Sequence, residues 1–214
     1  RVGGKLTGKV GRTTLGVLVA DDEAPGRRDD SSDQAFGETA KFTIGRARYD
    51  LYAESHIGTL FTDREFLGGF SRVGGIDTQL RLSRTSRFNF VAYRSTHRDE
   101  DGVERSGPMW GALYTRNGRN LRVQSFVGQT DPNFRTDVGF VRRVDQQRTF
   151  NNVDYRWYPE HWLLNWGPSV RYLRSYNFDE VLEDESYDAG FNFSFARSIS
   201  VSLNGQRVLE RFGG

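Results

Sequence analysis

Apolar side chains recur at every second position along most of this chain, and the positions between them are too polar to lie inside an ordinary core. In "SYDAGFNFSFARSISVSLNGQ", residues 186–206, Tyr187, Ala189, Phe191, Phe193 and Phe195 share one parity. Asp188, Gly190, Asn192, Ser194 and Ala196 fill the other. Successive Cβ atoms of an extended chain point to opposite faces, so this pattern reads as a strand with one apolar and one polar side. The same reading sets Leu15, Val17 and Val19 on one parity, and Ile76, Leu80 and Leu82 against Asp77, Gln79 and Arg81. It continues through Phe88 and Phe90 opposite Asn89, through Trp110, Ala112 and Tyr114, and through Leu121, Val123 and Val127 opposite Arg122 and Gln124. Val153, Tyr155 and Trp157 lie opposite Asp154 and Arg156, and Ile199, Val201 and Leu203 opposite Ser200, Ser202 and Asn204. The alternation predicts about twelve strands, separated by the usual antiparallel turn residues.

No stretch sustains apolar residues at helical spacing through two turns, and no apolar run approaches the roughly 20 residues of a membrane-spanning helix. Residues AVILMFWYC make up only 36% of the 214 residues, yet aromatics alone reach 14% and 24 residues are Gly. A water-soluble core is normally built from Leu, Ile and Val, so this balance is unusual. With 30 basic and 28 acidic side chains, both signs are interleaved, unlike the one-signed face of a nucleic-acid binder. Cys is absent, which excludes disulfides and thiolate metal sites.

Connection lengths add direction. "GR" at 11–12, the link near Asp50, "RTSR" at 84–87, "NGR" at 117–119 and "RS" at 197–198 read as short. The stretches 21–37, 63–71, 97–106, 128–147 and 177–186 read as long. A sandwich has no reason to alternate short and long links, because both of its ends meet the same water. An outer-membrane barrel does, with tight periplasmic turns, long extracellular loops and strands whose sides alternate between lipid and lumen. The fold expected is therefore all-β, an antiparallel transmembrane β-barrel in the bacterial outer membrane.

Arg197 shares the parity of the phenylalanines, where facing lipid at mid-depth would cost about 2–4 kcal/mol, so it is expected in the turn. Trp110, Tyr114, Tyr155, Trp157, Trp166, Tyr172 and Tyr187 are expected near strand ends, as interfacial belts. One segment fits badly: Arg46 and Arg48 share parity with Phe42 and Ile44, so either they snorkel or the strand ends before them. If long links are outside, the first strand starts and the twelfth ends on the extracellular side. Residues 1–214 are then expected to be part of one barrel domain lacking strands at both ends, with about fourteen or more strands in the whole.

The block "DPNFRTDVGFVRR" at 131–143, with "KLTGKVGRTTLGVL" near the start, "SHIGTLFTDRE" and "GGIDTQLRL", resembles an uncharacterised family of large bacterial envelope proteins. In that family a carbohydrate-binding-module-like domain precedes a C-terminal β-barrel domain. The resemblance runs from about residue 3 to about residue 212 by the order and spacing of these blocks. It implies outer-membrane residence, and glycan contact through an N-terminal domain outside this sequence. It carries no catalytic motif. Asn133, Phe134, Arg142 and Arg143 are the candidate loop or mouth residues, with the two arginines suited to carboxylates in the lumen or lipid phosphates at the rim. The plainer reading is a loop folded into the barrel mouth.

The polar parity names candidate lumen-lining residues: Asp77, Gln79, Arg81, Asn89, Arg122, Gln124, Asp154 and Arg156. Their mixed signs argue against strong selection for one ion charge. The acidic clusters 21–23 and 179–185 lack the punctuated spacing of a calcium loop, so no metal or other cofactor is expected. His56, His97 and His161 are scattered in different connections or strand ends, and Ser55 beside His56 places the two side chains on opposite faces. No phosphate-binding or zinc motif is present, and the chain reads as a non-enzyme. The expected function is an outer-membrane pore or transport channel of unknown substrate. The alternative is a non-conducting anchor or scaffold for a binding domain or partner subunits, which an inserted loop would favour, with 128–147 as the candidate. A soluble two-sheet lectin ranks third and a barrel hydrolase last. The partners expected are outer-membrane lipid, glycan through the missing domain and partner subunits, with no nucleic acid.

Overall fold

The computed structural model describes residues 2–99, 102–159 and 161–211. Twelve strands follow one another: β1 (Val2–Val10), β2 (Thr13–Asp22), β3 (Ala40–Tyr52), β4 (Ser55–Phe66), β5 (Gly69–Arg81) and β6 (Ser86–Arg98). The rest are β7 (Glu104–Asn117), β8 (Leu121–Thr130), β9 (Gln146–Tyr155), β10 (Leu163–Tyr176), β11 (Leu182–Phe195) and β12 (Ile199–Glu210). They form one antiparallel sheet in chain order, with β1 and β12 at its two edges, so the sheet is not closed. Among the described residues the only helical segments are two three-residue 3-10 turns, and no helix is long and apolar enough to cross a membrane.

The chain divides into two compact units. The first comprises residues 1–79, 91–110 and 130–144, the second residues 80–90, 111–129 and 145–214. Among the described residues neither has a conventional apolar interior: the buried apolar side chains are Ala35, Ala40, Val73 and Phe134, and the largest fully buried side chains of any kind are Ser71, Ser95 and Ser175. A soluble domain of this length hides most of its apolar surface. Here one face of the strands keeps it outside, with Val19 at 51% and Val170 at 53% exposure.

The strand number agrees with the alternation, but the connections are shorter than expected. The stretch 63–71 is no long link: β4 and β5 meet in a two-residue turn in which Leu67 (φ 51°) and Gly68 (φ 76°) are both left-handed. That is the geometry that lets a two-residue turn follow the strand twist. The links expected at 97–106 and 177–186 shrink to 99–103 and 177–181, so His97 lies inside β6. Several of their charged residues belong to strands, where they pair across the ladder: Arg72 Nε donates to Asp63 at 3.2 Å, Arg98 Nη2 to Glu104 at 3.0 Å, and Arg174 Nε lies 3.3 Å from Glu185. Odd-numbered connections still span only two to seven residues, and the two long ones, 23–39 and 131–145, are both even-numbered.

Several placements change. Arg46 and Arg48 neither snorkel nor lie beyond a strand end: β3 runs through both, and the register sets them opposite Leu60 and Gly58, on the polar face. Phe42 and Ile44 share that face, while Thr43, Gly45, Ala47 and Tyr49 take the other. Trp110 is the seventh of fourteen residues in β7 and Tyr187 the sixth of fourteen in β11, so both are central rather than terminal. Arg156 lies past the end of β9. Arg197 falls in the β11–β12 turn as expected, with φ 64°.

Candidate functional site

In the first unit the polar face of β3–β5 gathers charge across a glycine. Arg46 on β3 reaches over Gly58 on β4 to Asp77 on β5, making a two-pronged contact whose Nη2–Oδ2 distance is 2.8 Å. A Cβ at Gly58 would stand 2.8 Å from Arg46 Nη2 and 3.0 Å from Asp77 Oδ1, so this bridge needs a residue without a side chain. His56 Nε2 lies 3.6 Å from Asp77 Oδ2, and the Tyr93 hydroxyl donates to Asp77 Oδ1 at 3.5 Å. A fork paired with a carboxylate satisfies both charges where little water reaches Asp77.

The same face carries a strap, residues 131–137. Asp131 N–H donates to the Pro108 carbonyl at 3.0 Å, and the Asp131 carboxylate takes the Asn133 N–H at 2.8 Å, closing a tight turn. Gly107 lies beneath it: a Cβ there would be 2.7 Å from both Asp131 Oδ1 and the Phe134 nitrogen. The backbone N–H of Arg135 donates to Ser95 Oγ at 3.0 Å and that of Asp137 to Ser71 Oγ at 3.2 Å. Two of the buried serines are thus anchors for loop backbone, which would otherwise lose its hydrogen bonds on leaving water. Phe134, at 4% exposure, supplies the apolar anchor.

A charge ladder runs through the strap. Arg105 Nη1 donates to Asp99 at 2.8 Å, Arg135 Nη1 to Asp99 at 2.7 Å, Arg135 Nε to Asp137 at 2.9 Å and Arg64 Nη1 to Asp137 at 3.2 Å. The Asp137 carboxylate raises the Arg135 guanidinium above its ordinary value, so it stays charged at any relevant pH. Arg64 sits against the rings of Phe42 and Phe66, 5.7 and 5.5 Å from their centroids.

The second unit differs on both faces. On the apolar side Trp157 stacks on Trp166 at 4.3 Å, Trp166 on Phe191 at 5.6 Å, and Trp162 on Phe195 at 5.6 Å. Tyr172 and Tyr187 face each other across β10 and β11. On the polar side a groove of about 480 Å³ is lined by Asn152, Asp154, Ser169, Arg171, Asp188 and Asn204. A hydroxyl and amide ladder meets it at Ser169, running from Ser202 to Asn192 at 2.8 Å and from Asn192 to Ser169 at 3.4 Å.

Of the residues singled out in the sequence, Asp77 and Gln79 share the face of Arg46, and Gln79 Nε2 donates to the Glu54 carbonyl. Arg81 ends β5, and Asn89 is half-buried in β6. Arg122 and Gln124 are exposed on β8, Asp154 lines the groove, and Arg156 bonds Asn165 from the β9–β10 connection. Asn133 and Phe134 belong to the strap, while Arg142 and Arg143 follow it, exposed. Sequence reasoning missed Arg46, Arg64, Ser71, Ser95, Asp99 and Gly107, although Arg135 and Asp137 sit inside the block it marked. Among the described residues no three His, Asp or Glu side chains gather as a metal site. Comparison with protein-family models, curated proteins and solved structures finds no match.

Proposed function

We propose that this chain forms part of a β-barrel wall in the bacterial outer membrane, with the aromatic side of its strands against acyl chains and the polar side lining a pore or transport channel. The observation that carries this reading is the exposure of the apolar face in a chain that buries so few apolar side chains. A large exposed apolar surface marks contact with lipid or protein rather than water. On β11 the outward row runs from Tyr187 to Phe195. It measures about 27 Å along the strand at about 3.4 Å per residue. Tilted by about 40°, it becomes a band roughly 20 Å tall, close to that of transmembrane barrels. Glu185, next in the row, pairs with Arg174 where the band ends.

The strap favours a second reading. A segment tied to the polar face by two serines, a phenylalanine and a charge ladder narrows or fills the space that face encloses. The barrel is then a non-conducting anchor for a binding domain or partner subunits, and the family resemblance supplies a glycan-contacting domain as the natural cargo. Planar-bilayer recordings with the folded full-length protein separate the two. Stable conductance steps support the pore, and silence from correctly folded protein leaves the anchor. Raised conductance in Gly107→Leu, which pushes the strap off its seat, identifies the strap as the obstruction.

A further inference from the structure

We infer that the cavity of about 570 Å³ at the β4–β5 turn binds the phosphate of a membrane-lipid headgroup. Lys41, Glu65, Phe70, Arg72, Arg98 and Glu104 line it. The register pairs Lys41 with Glu65 and Glu65 with Phe70, which places all three on the face of Phe61 and Ile76, the apolar one. The cavity therefore lies where the apolar row stops: Ile57, Thr59 and Phe61 on β4 give way to Asp63 and Glu65.

Its cations are held ready. Arg72 and Arg98 lie over the Phe70 ring, 4.3 and 4.9 Å from its centroid. Carboxylates fix both forks: Arg72 donates to Asp63 and, at 2.8 Å, to Glu65, and Arg98 spends one N–H on Glu104 at 3.0 Å. A guanidinium has five N–H donors, so Arg98 keeps most of its own. The Lys41 ammonium has no side-chain partner among the described residues. A point charge and an oriented fork at the rim of an apolar row suit a phosphate whose acyl chains run down that row. Lipid is favoured over free phosphate because the apolar row that ends beside the cavity, with Phe61 and Ile76, would contact the chains.

This inference rests on the membrane reading, and its test separates the two. The protein, refolded in a neutral maltoside detergent, is titrated by native mass spectrometry with phosphatidylglycerol and with a galactosyl diacylglycerol of the same acyl chains. The expected result is phosphatidylglycerol binding tighter by roughly fivefold, since Lys41, Arg72 and Arg98 against Glu65 and Glu104 leave one positive charge in excess, and one basic charge near a headgroup contributes about that factor. The preference should fall in Lys41→Gln, which breaks no ion pair, and vanish in Lys41→Gln/Arg98→Gln with strand content by circular dichroism unchanged. Equal binding of both lipids by the unaltered protein, or a preference that survives the double substitution, overturns the inference while leaving the membrane reading intact. Protein that folds in detergent-free buffer and binds neither lipid overturns both.

Discussion

The first compact unit holds its longest charge ladder and a loop on the polar face, whereas the second gathers its stacked rings on the apolar face. In the first, Arg46–Asp77 and the Arg105–Asp99–Arg135–Asp137–Arg64 ladder are joined by a strap with its own buried phenylalanine. In the second, the polar groove holds amides, hydroxyls and a few charges, while the rings of Trp157, Trp166, Phe191, Phe193, Phe195 and Trp162 stack along the opposite side. Burial by the chain itself stabilises the first arrangement. In the proposed membrane setting acyl chains cover the second, whose stacked but half-exposed rings leave much of their surface to the surroundings. Stability of the second unit should thus depend more on lipid or detergent.

Substitutions can break this contrast. Phe134→Ala should cost about 3–5 kcal/mol in the first unit, as for other buried phenylalanines, whereas Phe193→Ala in the second should cost roughly 1 kcal/mol in water-filled surroundings. Urea titration of the folded protein reads both, and equal losses would erase the distinction. In vesicles, Phe193→Arg should cost about 2–4 kcal/mol, while Ser194→Arg, one residue on and facing the other way, should cost close to nothing. Equal effects would mean that the two faces see the same medium. Asp77→Asn strips the partner from Arg46; discounted for the partial exposure of Arg46, the loss should be about 1–2 kcal/mol. Ser169→Ala, which removes one rung of the second unit's ladder, should shift the midpoint by less than about 0.5 kcal/mol.

Much of the fold was legible in the sequence because a period of two survives every local irregularity. The twelve strands and the placement of Arg197 in a turn follow from parity alone. What stayed hidden needed partners distant in the chain. "DREF" at 63–66, and His97 and Arg98 with Glu104, read as loop until Arg72 pairs with Asp63 and Glu65 and Arg98 with Glu104 across the ladder. The face of β3 read backwards because Phe42 and Ile44 look outward-facing by hydrophobicity. In the structure they lie with Arg46 on the polar side, where Asp77 waits 31 residues away and Arg64 covers the Phe42 ring. The strap block stood out as unusual, but its anchors are two serines and a glycine, residues that carry no signal until a loop comes down on them.

The claim on which the rest depends is that the ring-bearing side of these strands touches hydrocarbon. A protein in which Trp110, Trp157 and Trp162 are replaced by Phe keeps Trp166 as its one fluorescent indole, set in the aromatic stack of β10 and β11. Reconstituted in vesicles whose acyl chains carry bromine, Trp166 should be strongly quenched by the brominated chains and little affected by acrylamide added to the water. Quenching by acrylamide with none from the brominated chains would contradict the account.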